Sequence, residues 1–374
     1  MCLKNMKKPL LLFIKTTFTV FLMLSIVSCK EESNNNMPSD IEDKEDTGVN
    51  AEDEEKDTVI PIIPNTKKEE TKNYKISVTE EGNIIFYSSQ GYYRYGPSII
   101  EYDDGSMDMW LSAPGNSGSQ WDWITYRHSD DGINWSSEQI VLRPTPGSKD
   151  QCSVCDPGVI YFNDYYYLAY TGTDYYEGKG SNNSAFVARS TTPYGPFEKW
   201  NGEGWGGYPQ PIIKYEGDPS GWGIGEVSFV ILEEDLFIYC TYMDKNGGNT
   251  RLYKADLVDD WPKTIRFKEN VLAREHQDSL DVAYDEELKM FFGFSIYQRM
   301  ANNSRLIMYG SKNGKEFSKL DSTKDYIEDY AHNVGISKSV SGHINSSKNI
   351  LVGYAFGENW GRWNLKVQNI KTSY

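Results

Sequence analysis

The chain has 374 residues, with 54 Asp and Glu against 38 Lys and Arg, for a net charge of −16. A chain this acidic lacks the basic footprint that nucleic-acid binding requires, and that class of function is excluded. Gly (32 residues) and aromatics (14%) are abundant, and no long stretch shows helical apolar spacing, which points to an all-β body.

In chain order, Lys4, Lys7 and Lys8 form a basic start, followed by an apolar run from Phe18 to Val27 that is too short and too early for an ordinary spanning helix. It ends in Leu24-Ser25-Ile26-Val27-Ser28-Cys29, which resembles the lipobox of bacterial lipoproteins. The resemblance implies removal of residues 1–28 and lipidation of Cys29. Lys30-Glu31-Glu32 resembles the short signal that sends some bacterial lipoproteins to the cell-surface side of the outer membrane. Residues 30–73 carry 14 acidic and 6 basic side chains and almost no aromatics. Such a composition cannot bury enough apolar surface to offset chain entropy, so residues 29–73 are read as a lipidated Cys and a disordered acidic tether. The expected membrane contact is through the lipid alone.

Residues 74–374 are long enough for one large domain. Outside the leader only Cys152, Cys155 and Cys240 remain, an odd set that argues against a disulfide framework. Cys152-Ser153-Val154-Cys155 has redox or zinc spacing, but no second pair completes a tetrahedral site. Packing or a local disulfide is the expected role.

Within this domain one phrase recurs five times: a small or polar opening, a β-rich run, an acidic or Gly turn, and an aromatic return. The copies open at Gly96, Asp156, the Gly225-Glu226 pair, Asp281 and His332. Between them, Ser129-Asp130-Asp131-Gly132-Ile133-Asn134-Trp135 and Ser311-Lys312-Asn313-Gly314-Lys315-Glu316-Phe317 share a frame suited to an outer hairpin. Five copies at this spacing predict a five-bladed β-propeller rather than a β-sandwich, with early and late strands (Ile84–Tyr87 and Leu365–Ile370) sharing a blade to close the ring.

In a propeller the inner strands line a central channel, so the five openings meet at one mouth. Asp156, Glu226 and Asp281 would then raise one another's pKa, the split between neutral acid and ionised partner that glycoside hydrolysis needs. Asp156-Pro157-Gly158-Val159-Ile160-Tyr161, Ala188-Arg189-Ser190 with Gly195-Pro196-Phe197, and Gly225-Glu226-Val227-Ser228 resemble stretches of the five-bladed-propeller glycosidases: the family 43 arabinanases and xylosidases, the invertases and levanases, and the anhydrogalactosidases. That resemblance implies a glycosidase, inverting in the family 43 manner, with Glu226 as general acid and Asp156 as the carboxylate that tunes it. Gly96 stands where the family 43 base Asp would be, which leaves Asp281, Asp278 or Asp122 to supply a base, or a glycan-binding propeller without catalysis. A His serves as the acid in the anhydrogalactosidases, so that resemblance makes His332 a candidate acid, beside holding substrate, water or an axial calcium ion; no cofactor is required. Trp121, Trp123, Trp222 and Trp360, with Trp205 and Trp363, sit in Gly-rich or polar loops where rings can stack on sugars. Asp122 and Arg94, with Arg127 and Arg189, complete the expected binding set, for a carbohydrate substrate and a monomeric protein.

Overall fold

The computed structural model describes residues 73–79, 82–86, 92–115, 120–174, 181–274 and 278–374. The leader, Cys29 and the tether up to residue 72 lie outside the described residues. What is described is almost entirely β-strand, with two short 3-10 turns.

The strands fall into five antiparallel meanders, the first and last of which are joined by a short parallel pairing of their inner strands. Two early strands, β1 (Lys75–Val78) and β2 (Asn83–Phe86), belong to the last of them. The first unit is β3 (Tyr95–Glu101), β4 (Met107–Pro114), β5 (Asp122–Ser129) and β6 (Gln139–Leu142). The second is β7 (Ser153–Phe162), β8 (Tyr165–Thr173), β9 (Ser184–Ser190) and β10 (Glu198–Lys199). The third is β11 (Gly223–Leu232), β12 (Asp235–Asp244), β13 (Gly247–Asp256) and β14 (Arg266–Arg274). The fourth is β15 (Asp281–Asp285), β16 (Met290–Tyr297), β17 (Arg305–Ser311) and β18 (Ser318–Ser322). The fifth runs from β19 (His332–Lys338) past a short β20 (His343–Ile344) to β21 (Ile350–Phe356) and β22 (Asn364–Ser373). Its outer strand β22 takes both β1 and β2 as antiparallel partners, so early and late segments share a sheet as expected.

The apolar core is divided among the junctions between units. Ile100, Trp110 and Ile124 of the first unit pack with Val159, Leu168 and Tyr170 of the second. Tyr167 and Phe162 of the second meet Phe229, Ile238 and Trp261 of the third. Tyr239 and Leu252 of the third meet Val282 and Phe291 of the fourth, and Phe292 and Met308 of the fourth meet Val334 and Tyr354 of the fifth. The series returns to its start where Leu351, Leu365 and Val367 pack on Ile99, Met109 and Leu111. Each meander buries one face against each neighbour, which is the packing of a β-propeller.

One inner-strand position repeats at all five junctions. Ser98 Oγ accepts the Val159 N–H at 3.0 Å, and Ser228 Oγ accepts the Val282 N–H at 2.9 Å. Asp281 Oδ2 accepts the Ile336 N–H at 2.8 Å. At the other two junctions the position is Gly158 or Gly335, and a Cβ there would stand 1.9 Å from the Val227 carbonyl oxygen or 1.8 Å from that of Pro97. Only glycine admits so close an approach.

The inner strands end against a crossing segment. Consecutive carbonyls of Val340, Ser341 and Gly342 accept the N–H groups of Tyr161 (2.9 Å), Ile231 (2.9 Å) and Tyr284 (3.1 Å), one from each of the second, third and fourth units. This segment is the long insertion of the fifth phrase, and it ties three inner strands together.

Candidate active site

At the near end, one residue from the opening of each inner strand or just before it lines one pocket: Gly96, Asp156, Glu226, Ser279 and Asn333. Four of these share an unusual backbone state, with φ of +59° at Gly96, +48° at Asp156, +49° at Glu226 and +49° at Asn333. Each sits at a break in ladder register, between Tyr95 and Ser98, Cys155 and Gly158, Gly225 and Ser228, and His332 and Gly335. A β-bulge of this kind turns a side chain out of the pleat, here toward the pocket. Left-handed backbone at Asp, Glu and Asn is strained and is held by neighbours. Ser112 Oγ accepts the Asp156 N–H at 2.8 Å, Thr171 Oγ1 accepts the Glu226 N–H at 2.9 Å, and the Asp278 carboxylate accepts the Asn333 N–H.

Asp156 and Glu226 therefore meet, and Asn333 lies between them. Its Nδ2 stands 3.0 Å from Glu226 Oε1 and 3.5 Å from Asp156 Oδ1. Those two oxygens are no farther apart than the two distances together, about 6.5 Å. Burial, and then the charge of Glu226, raises the Asp156 pKa well above the ordinary carboxylate range. Arg299 Nε pairs with Asp278 Oδ1 at 2.7 Å. Asp278, and then Glu226 and Asp156, raise the guanidinium pKa further, while its burial opposes them. Arg299 is delivered by a loop with left-handed residues on both sides, Gln298 at +56° and Met300 at +54°. Asn333 and Arg299 were not singled out in the sequence. Asn333 had a visible signal, since it opens the fifth phrase one residue after the His.

Asp281 lines the same pocket as Asp156 and Glu226, whereas several other expected site residues do not. Asp281 occupies the junction position, two residues beyond the ring position, which in the fourth unit is Ser279. The fourth inner strand has no bulge, so its phrase is shifted relative to the others. Asp281 touches the lower wall of the pocket, but its oxygens take the Lys338 ammonium at 2.6 Å, Ser228 Oγ at 2.7 Å and the Ile336 N–H. His332 is fully buried, with its ring 4.1 Å from that of Trp363 and Nδ1–H donating to the Tyr330 carbonyl; burial holds its pKa down to about 4. It does not line the pocket. Asp278 is tied to Arg299 and Asn333. Asp122 is buried beside Asp156, where burial lifts its pKa to about 6 against hydrogen bonds from Ser153 and Tyr93.

Arg94 is buried in a double contact with Glu138, over the Phe86 ring at 4.0 Å, so it supports the rim from outside. Arg127 also pairs with Glu138, and Arg189 lies over the rings of Tyr165 and Trp205. Trp205 packs on Tyr167 and Trp200, and Trp123 is buried with its Nε1–H on Gln120. Trp222 is partly buried at the entry to β11, and Trp363 is taken by His332. Trp360 remains open, 42% exposed, with ring centroids 5.5 Å from Tyr93 and 6.1 Å from Trp121. Those three rings form the aromatic patch nearest Asp122. Cys152 and Cys155 are both free thiols, and the Cys155 thiol donates to Asp156 Oδ2 at 3.3 Å.

Among the described residues, no group of three or more His, Cys, Asp or Glu converges to hold a metal. The channel carboxylate Asp281 already holds the Lys338 ammonium, and His332 points into the fifth sheet.

No protein-family model matches the chain, and no curated protein matches it in sequence. Solved structures do match in fold. A family 117 glycoside hydrolase from the marine bacterium Zobellia galactanivorans is 15% identical, with TM-score 0.58 over 80% of this chain and 90% of that one. An endo-arabinase from Bacteroides thetaiotaomicron is 15% identical, with TM-score 0.51 over 78% and 97%. An α-L-arabinofuranosidase from Podospora anserina, solved with cellotriose, is 10% identical, with TM-score 0.53 over 80% and 97%. At these identities the likeness is one of fold, and the fold is that of β-propellers on which glycoside hydrolases are built.

Proposed function

We propose that the protein is a glycoside hydrolase acting on a carbohydrate held at the mouth of the propeller, with Asp156 and Glu226 as its acid–base pair. The observation that carries this reading is the meeting of two carboxyls around the Asn333 amide, on strained bulges that aim them into one pocket. Like charges this close oppose each other's ionisation, which favours one neutral and one ionised carboxyl in the pair. A protonated carboxyl for the leaving oxygen beside an ionised one is the equipment of glycosidic bond cleavage. The relatives in fold named above are glycoside hydrolases, which supports the same reading. Inversion at the anomeric carbon follows from the resemblance to family 43. The first-formed anomer, read by proton NMR, tests it.

Gly96 favours one rival, a propeller that binds glycan without cutting it, because the first unit brings no carboxylate at the ring position. A panel of arabino-, xylo-, fructo- and galacto-oligosaccharides separates the two, with release of reducing ends as the readout. Glu226→Gln is expected to cost about 10²–10⁴-fold in turnover while the fold and sugar binding persist. Binding without any turnover by the wild type would favour the rival. The lipobox and surface signal support an outer-membrane lipoprotein facing the medium. Labelled palmitate incorporation, abolished in Cys29→Ala, tests that placement.

A further inference from the structure

On the reading that Asp156 and Glu226 cleave a glycosidic bond, one must hold the proton and the other must be ionised. The resemblance in sequence puts the proton on Glu226. The geometry points to the reverse: Asn333 holds Glu226 as the ionised carboxylate and leaves the proton on Asp156, so that Asp156 is the proton donor and Asn333 the residue that positions the pair.

An amide nitrogen only donates, and a donor favours the ionised form of the carboxylate it faces. At 3.0 Å the contact to Glu226 Oε1 is an ordinary hydrogen bond, whereas 3.5 Å to Asp156 Oδ1 is beyond the usual range. Asn333 is itself fixed, since Asp278 takes its backbone N–H and is in turn held by Arg299. The Arg299 guanidinium leans the same way, because it is affected more by Glu226 than by Asp156. Burial separates the two carboxyls as well: Asp156 is buried at 8% exposure, while Glu226 is only partly buried. The other groups facing Asp156 are the Cys155 thiol on its own strand, Thr171 on β8 and the Asp122 carboxyl on β5, and none supplies a positive charge. Gly96 adds to this, since the place of its missing Cβ lies 3.1 Å from Asp156 Oδ1 and 3.3 Å from Asp156 Cα, which lets the first unit close over the acid.

In the step, the glycosidic carbon–oxygen bond breaks with its electron pair passing to the leaving oxygen, which takes the proton of Asp156. Water bonds to the anomeric carbon and gives a proton to Glu226, and exchange with solvent returns the pair to its starting state.

Two measurements test the assignment. The first needs no substrate: protein labelled with 13C at Asp and Glu carboxyls is titrated by NMR, with resonances assigned from Asp156→Asn and Glu226→Gln. The expected result is an Asp156 carboxyl that titrates above Glu226, and in Asn333→Ala a fall for Asp156 together with a rise for Glu226. Glu226 titrating above Asp156, or an unmoved pair in Asn333→Ala, overturns the proposal. The second uses the glycosides that the wild type hydrolyses, beside dinitrophenyl glycosides of the same sugar. Asp156→Asn is expected to lose about 10²–10⁴-fold on the natural linkage and to regain most of that loss when the leaving group needs no proton. Glu226→Gln is expected to stay impaired on both. The opposite pattern returns the acid role to Glu226. A wild type that hydrolyses no glycoside defeats the glycosidase reading alone, and the titration still decides where the proton resides.

Discussion

Asp281 and Lys338 are a charged pair that belongs to the scaffold. The Lys338 ammonium is buried and bonded to Asp281 Oδ1, Ser228 Oγ and the Val282 carbonyl, linking three neighbouring units. Removing one partner leaves an uncompensated buried charge, so Lys338→Met is expected to destabilise the protein by about 3–5 kcal/mol. Urea unfolding measures this, and the double variant with Asp281→Leu should recover part of the loss. His128 is a second residue with a scaffold role. Its Nδ1 lies 2.8 Å from Asp108 Oδ1, a carboxylate that also accepts the hydroxyls of Tyr102 and Tyr126, and this hydrogen bond raises the imidazole pKa above its ordinary value. The folded state binds that proton more tightly than the unfolded chain does. The stabilisation is therefore complete below about pH 6.5 and disappears as pH climbs through the higher folded value. His128→Gln should flatten that part of the stability–pH curve, followed as thermal midpoints across pH 5.5–8.5.

At the scale of the strand, the recurring phrase was readable because each meander must present the same face to the same kind of neighbour. The outer hairpins were readable for a local reason. Asp131 accepts the N–H groups of Ile133 and Asn134, and Asn313 those of Lys315 and Glu316, so the shared frame encodes the same side-chain-closed turn. The bulges were not readable, because a bulge depends on the register of a partner strand distant in sequence. That is why the sequence points to Asp281 where Ser279 holds the ring position, although both line the pocket, and to His332 where Asn333 holds it. Arg299 was hidden for a similar reason: its loop joins β16 to β17, far from any opening. The bulge also predicts a measurable asymmetry. At the +49° backbone of Glu226 a Cβ is strained, so Glu226→Gly should be more stable than Glu226→Ala by about 1 kcal/mol, with both inactive. Paired denaturation curves of the two variants check this.

Across the whole molecule, stability is divided among five inter-unit cores rather than held in one centre. Trp261 is fully buried at the second–third junction, edge-on to Tyr167 at 5.8 Å and to Phe229 at 5.9 Å. Trp261→Ala should cost about 3–5 kcal/mol and loosen both units that share the ring, seen as raised hydrogen exchange in β8 and β11 together. The segment that crosses three inner strands makes its own prediction. Because Val340, Ser341 and Gly342 are consecutive, the amides of Tyr161, Ile231 and Tyr284 should exchange as one group although they lie in three different sheets. The same segment bonds three inner strands through successive carbonyls, so a shift of its backbone is felt by three units at once.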